Sequence, residues 1–144
     1  MLRSFLIGAV AGSRSLMAPA AVLRATRSPR AGPAILGAVG ELIADKLPAT
    51  PSRLGAAPLA FRVVSGGWSA VTLSAGNRTV GPWLLGALGA TVGANAGYWL
   101  RRKLARSFAI PDFPLALAED AIALSIAYAV TRASTAPPHV DEVG

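Results

Sequence analysis

The sequence predicts an all-α fold: a polytopic membrane helical bundle of four transmembrane helices with one further short re-entrant segment. Three observations carry that expectation. Hydrophobic residues make up 53% of the chain and charged residues only 15%, whereas an average soluble domain is about a quarter charged, so little charge remains to coat a water-facing surface. The mean hydropathy is +0.50. The stretch Thr79 to Leu100 runs twenty-two residues without a charge, enough to cross about 30 Å of hydrocarbon as a helix. Much of the apolar content is small: there are 15 glycines, and aromatics are only 6%, a composition that suits close helix approach in lipid better than an aqueous core.

Four segments supply the spans. The first, Ser4 to Leu23, has twenty residues, with Arg14 near its middle. The second, Pro33 to Leu47, has a proline at a helix-start position and stops at Pro48. The third, Thr79 to Leu100, has Trp83 near one end and Tyr98 and Trp99 at the other, then meets Arg101, Arg102 and Lys103, the pattern of a span with interfacial aromatics and a basic anchor. The fourth, Phe113 to Thr131, is opened by Asp112 and Pro114, closed by Arg132, and interrupted by Glu119 and Asp120. Between the second and third, Val63 to Gly76 is uncharged but only fourteen residues long with a Gly-Gly pair, which fits a re-entrant or interfacial piece better than a crossing.

Residues 1–132 are thus expected to form the transmembrane domain and 133–144 a disordered tail. An echo divides the domain. GAVAGSR from Gly8 and GATVGAN from Gly89 share a pattern, each precedes a basic connection, and Glu41 and Glu119 follow at similar spacing; two repeats, about 1–60 and about 79–132, would place a polar site where they meet. Arg3, the apolar run Phe5 to Ala11 and Ala18-Pro19-Ala20 have the outline of a secretory signal. Arg14 interrupts it, and the same apolar character recurs along the whole chain, so retention is expected. In a four-span arrangement the two most basic connections share one side, cytoplasmic by the positive-inside rule; if Val63 to Gly76 also crosses, they face opposite sides.

The net charge of +7 fits orientation against anionic lipid better than nucleic-acid binding, because the densest basic run, Arg101 to Arg106, directly follows an apolar span. Cysteine is absent and the single histidine, His139, lies in the tail, which removes disulfides, thiolate metal sites and His-based catalysis from consideration. No nucleophile elbow, phosphate loop, dinucleotide fingerprint or zinc-protease motif occurs, and no cofactor is expected.

The chemistry-bearing residues are ionisable groups inside apolar segments: Arg14, Glu41, Asp45, Lys46, Glu119 and Asp120, with Arg53 beyond Pro48 and Pro51, and the amide Asn95 in the uncharged span. An ionised side chain at bilayer depth costs about 2.5–3.5 kcal/mol on insertion scales, so such groups pair or line a wet cavity. Glu41 and Asp45, four apart, share a helix face. Arg14 is the natural partner for Glu41, leaving Asp45 to Lys46 or Arg53. Structural neutralisation, an ion or solute site, and plain interfacial charges are the three readings of this set. Asn95, Ser13 and Ser15 fit interhelical hydrogen bonding. Gly89, Gly93 and Gly97 lie on one helix face and Gly8 and Gly12 repeat the spacing, which predicts helix packing through small-residue grooves.

These pieces together resemble a bacterial family of small membrane proteins catalogued as domain of unknown function 4126. The resemblance rests on GAVAGSRSLMAPA at Gly8 to Ala20, ELIADKLPATPSR at Glu41 to Arg53, RVVSGG at Arg62 to Gly67, the helix GALGATVGANAGY and ALAEDAIA at Ala116 to Ala123. It implies a multi-span inner-membrane protein and brings no established activity. The expected function is therefore a transporter or channel for a small ion or polar solute, using Glu41, Asp45 and Glu119 with Arg14 and Lys46 setting the local charge, in a homo-oligomer within the lipid bilayer. A non-transporting membrane scaffold is the alternative, and a membrane-embedded enzyme acting on a lipid-like substrate is a third reading.

Overall fold

The structure is a computed structural model and describes residues 1–44, 55–74, 80–108 and 112–132. Every regular element among them is a helix. In chain order these are α1 (Leu2–Ser13), α2 (Met17–Ala25), α3 (Ala31–Ala44), α4 (Ala56–Leu73), α5 (Val80–Phe108) and α6 (Asp112–Arg132). Five of the six starts share a local cause. Pro19, Pro33, Pro58, Pro82 and Pro114 are each the third residue of α2 to α6, a first-turn position where the missing N–H would have no intrahelical partner in any case.

At 1.5 Å per residue, α1, α2 and α3 are about 18, 14 and 21 Å long, whereas α4, α5 and α6 reach about 27, 43 and 31 Å. Among the described residues only Phe113–Arg132, in α6, is both long and apolar enough to cross a membrane. The first predicted span is not one helix. It breaks at Arg14, a single extended residue (φ −141°, ψ 104°) between α1 and α2. The expected short re-entrant piece between the second and third segments is instead the eighteen-residue helix α4, packed against both α1 and α5.

Contacts fix the relative directions. The Ser4 and Ser74 hydroxyls meet at 3.5 Å, while Arg62 bonds Ser13 at the other end of α1, so α4 is antiparallel to α1. Gly8 lies on Gly86 and Gly12 on Ala90, so α5 runs parallel to α1. Beyond that interface Gly97 meets Glu119, and Asp120 meets Arg14; α6 therefore returns along α1 toward its start. The groove that α2 lines pairs it with this same second half of α6, from Leu124 to Arg132. Hence α2 folds back beside α1 rather than continuing it, and α3 turns again, bringing Glu41 to the start of α2.

The core is built from small residues. Gly8, Gly12, Gly89 and Gly93 all sit at the α1–α5 contact, the most extensive in the fold, where an added Cβ would overlap the neighbouring backbone. At the α4–α5 crossing a Cβ on Gly66 would stand 2.8 Å from the Gly86 carbonyl oxygen. Gly97 has a different role, since its missing Cβ leaves room for the Glu119 carboxylate, 2.8 Å from where that atom would be. Around these helices lie Ile7, Val10, Ala18, Val22, Ala70 and Ala127. Large apolar side chains face outward instead: Leu36 is 74% exposed, and Phe61, Trp99, Ile122 and Leu124 are all exposed.

Candidate functional site: a helix break sealed by charges from three helices

The break has a local cause. Ser13 and Ser15 flank Arg14, and short hydroxyl side chains compete with helical backbone bonding. Pro19 has no N–H and its ring would clash with the carbonyl four residues back, that of Ser15. A helix running through Ser15 to Pro19 would thus leave the Ser15 carbonyl bare; in the fold it accepts a hydrogen bond from the Ser65 hydroxyl of α4.

Side chains of α3 and α4 take up other groups that the break leaves bare. In a continuous helix the Ser15 and Leu16 amides would donate to the Ala11 and Gly12 carbonyls. Here they donate to the Glu41 carboxylate, Ser15 N to Oε1 at 2.7 Å and Leu16 N to Oε2 at 2.7 Å, and the Ser15 hydroxyl adds a third bond to Oε1 at 2.5 Å. The Gly12 carbonyl is taken by Arg62 Nη1, which also reaches the Ser13 carbonyl at 3.1 Å. An anion thus caps the amide end of α2 and a cation caps the carbonyl end of α1. Each charge has the sign the helix dipole favours, and the Ser15 and Leu16 amides and the Gly12, Ser13 and Ser15 carbonyls find partners within the protein.

Arg14 itself is 1% exposed and the largest fully buried side chain among the described residues. Its Nε donates to Asp120 Oδ1 at 2.5 Å, and Nη2 forms an ion pair with the same oxygen. Asp120 lies in α6, so the break is held by Glu41 from α3, Arg62 and Ser65 from α4, and Asp120 from α6. A buried guanidinium is tolerable only with such pairing and hydrogen bonding.

The sequence-predicted residues divide accordingly. Arg14, Glu41 and Asp120 converge on the break. The expected Arg14–Glu41 pairing is replaced: Arg14 takes Asp120, because the Glu41 oxygens are occupied by backbone amides. Asn95 does not join them; its side-chain amide donates to the Thr91 carbonyl of its own helix at 2.8 Å. Glu119 lies against Gly97 of α5. Asp45, Lys46 and Arg53 lie outside the described residues, as does His139. The echo is not followed by matching breaks: α1 ends just before Arg14, whereas α5 runs on through the equivalent Asn95.

Sequence reasoning missed Arg62 and Ser65. The signal was present, since Arg62 is a charge beside an apolar run just as Arg14 is; it lies 4% exposed against the Gly12 and Ser13 carbonyls. Among the described residues no group of three His, Cys, Asp or Glu side chains could hold a metal ion.

Comparison of the chain with protein-family models, with curated proteins and with solved structures finds no match. The functional reading therefore rests on the geometry of the break.

Proposed function

We propose that the chain is a multi-pass protein of a bacterial cytoplasmic membrane, and that it passes a small ion or polar solute at the break between α1 and α2. The membrane part is supported by the distribution of side chains: Arg14 and Arg62 lie inside with small residues and a few aliphatic ones, while Leu36, Ile43, Phe61, Trp99, Ile122, Leu124 and other large apolar residues face outward, more exposed apolar surface than a water-facing exterior carries. The one helix among the described residues that is long and apolar enough to span has only 22% of that window buried, whereas the core helix of a soluble protein would be mostly covered.

The observation that carries the transport part is the Glu41 carboxylate seated on the α2 amide end. A half-helix N-terminus inside a bundle is where transporters bind anionic groups. In this reading Glu41 is a tethered occupant of that seat, and Arg14 with Asp120 keeps the adjoining interior neutral. An anionic group of a solute, or a cation drawing Glu41 away, would open the seat. Purified protein in liposomes, screened for proton, ion and small-anion flux, tests this. The expected result is flux reduced at least tenfold by Glu41→Gln and left intact by Arg3→Gln at the exposed start of α1; flux unchanged in the Glu41 variant refutes the role given to it.

A membrane scaffold without transport is the second reading, favoured by the fact that Arg14, Glu41, Arg62 and Asp120 are all engaged in the resting fold. It requires that wild-type liposomes show no flux and that the same variants lose stability or assembly. We also propose a homo-oligomer, now through the exposed faces of α3 and α6, because the glycine faces close on each other within one chain. Cross-linking in membranes that yields only the monomer would remove it.

A further inference from the structure

A groove of about 530 Å³ runs between α2, α3 and α6, within the ~300–1,000 Å³ range of small-molecule sites. Its walls are apolar, formed by Met17, Ala20, Val39, Leu42, Leu124 and Ala127. The charged residues in its lining are both cationic: Arg24 in the last turn of α2 and Arg132 in the last turn of α6. They lie at the end where both helices terminate, with Thr131 and Tyr128 beside them. The Arg132 guanidinium carbon stands 5.5 Å from the Tyr128 ring centre, which holds the cation at the rim by attraction to the ring face. Among the described residues no acidic side chain lines the groove.

We propose that this groove holds one acyl chain of an anionic phospholipid, with the lipid phosphate at Arg24 and Arg132. An apolar slot ending in two cations complements a molecule with a long apolar body and an anionic head. A basic pocket between membrane helices selects lipids by head-group charge in this way. A second copy of the chain is a poorer occupant of the slot, because it would have to bring an anionic group to Arg24 and Arg132, which a phospholipid head supplies by its own chemistry; the oligomer proposed above uses the outer faces of α3 and α6. The inference rests on the membrane part of the proposed function and is independent of transport.

The test is native mass spectrometry of the detergent-solubilised chain with equimolar phosphatidylglycerol and phosphatidylcholine of the same acyl length. Wild type is expected to retain phosphatidylglycerol at least tenfold over phosphatidylcholine, and Arg24→Gln/Arg132→Gln to retain the two about equally. Both substitutions fall on exposed side chains, so the fold is not at stake. Phosphatidylglycerol with a photoreactive acyl chain should label peptides containing Val39 to Leu42 and Leu124 to Tyr128. No head-group preference in wild type, a preference that survives the double substitution, or label confined to α1, α4 and α5 would overturn the site. Carbonate extraction of cell membranes scores the membrane reading separately. A chain that stays in the membrane without lipid preference loses only the groove assignment, and a chain released to the soluble fraction that still prefers phosphatidylglycerol loses only its membrane placement.

Discussion

Arg14 and Glu41 illustrate how a buried charge finds its partner. Charge-neutralisation logic pairs the nearest opposite signs, and from sequence that joins Arg14 to Glu41. The fold gives Glu41 two backbone amides and a hydroxyl instead, and Arg14 goes to Asp120. Three of the four charged residues at the break, Arg14, Glu41 and Asp120, were readable because ionisable groups in apolar runs must converge; Arg62 was not singled out. Their pairing was not readable, because it depends on which backbone groups a tertiary break leaves bare, and nothing local to Glu41 announces that. Removing one member of the buried pair should be costly: Asp120→Asn is expected to destabilise by about 3–5 kcal/mol, while the double substitution Arg14→Met/Asp120→Leu should cost much less than the sum of its two singles. Thermal unfolding of the four proteins in one detergent measures this coupling, and additive losses would show that the two side chains do not interact. Arg62→Met strands the Gly12 and Ser13 carbonyls, at about 1–3 kcal/mol for each buried unsatisfied group. Arg62→Lys should restore part of the loss, since an ammonium can still reach one of them.

At the scale of elements, the starts of α3 and α6 were visible in Pro33 and Pro114 and the small-residue grooves of α1 and α5 in the glycine spacing, but neither the pairing of those two grooves nor the helical hairpin of α1 and α2 was. The series Ser15 to Pro19 marks a weakened helix. A membrane helix can carry the same signal as a kink, and what turns a kink into a reversal is the set of side chains waiting on α3, α4 and α6. For the same reason α4 read as a short re-entrant piece: its Gly66-Gly67 pair suggested a broken segment, whereas those glycines admit the Gly86 backbone and the Trp83 ring. Glycine substitutions separate packing from backbone entropy. Gly8→Ala places a Cβ on the Gly86 backbone and should lower stability by about 1–3 kcal/mol, as overpacking does. Gly40→Ala in mid-α3 meets nothing within 4 Å and should raise it by about 0.5–1 kcal/mol, the helix-interior cost of glycine. Equal effects of the two on the melting temperature would contradict the assigned α1–α5 interface.

Across the whole molecule, the account joins two facts that would be separate liabilities in water: an exterior of exposed leucine, isoleucine, valine and aromatic side chains, and an interior holding two arginines. In a bilayer both become consistent. The exterior needs no polar coat, and the interior charges are held because lipid offers them nowhere else to go. Composition points to this environment, but hydropathy alone does not count crossings: α1 and α2 together have the length of a span and fold back on one another. The chain contains no cysteine, so a single introduced cysteine is a unique reporter of sidedness. Leu2→Cys, Pro29→Cys and Leu100→Cys all fall on exposed positions, at the start of α1, just after α2 and toward the end of α5. Labelling with a membrane-impermeant maleimide in intact cells and in inverted vesicles should put Leu2 and Pro29 on one side of the membrane and Leu100 on the other. Leu2 and Pro29 on opposite sides would mean that residues 4–23 cross as one helix, and the charge-sealed break would not exist.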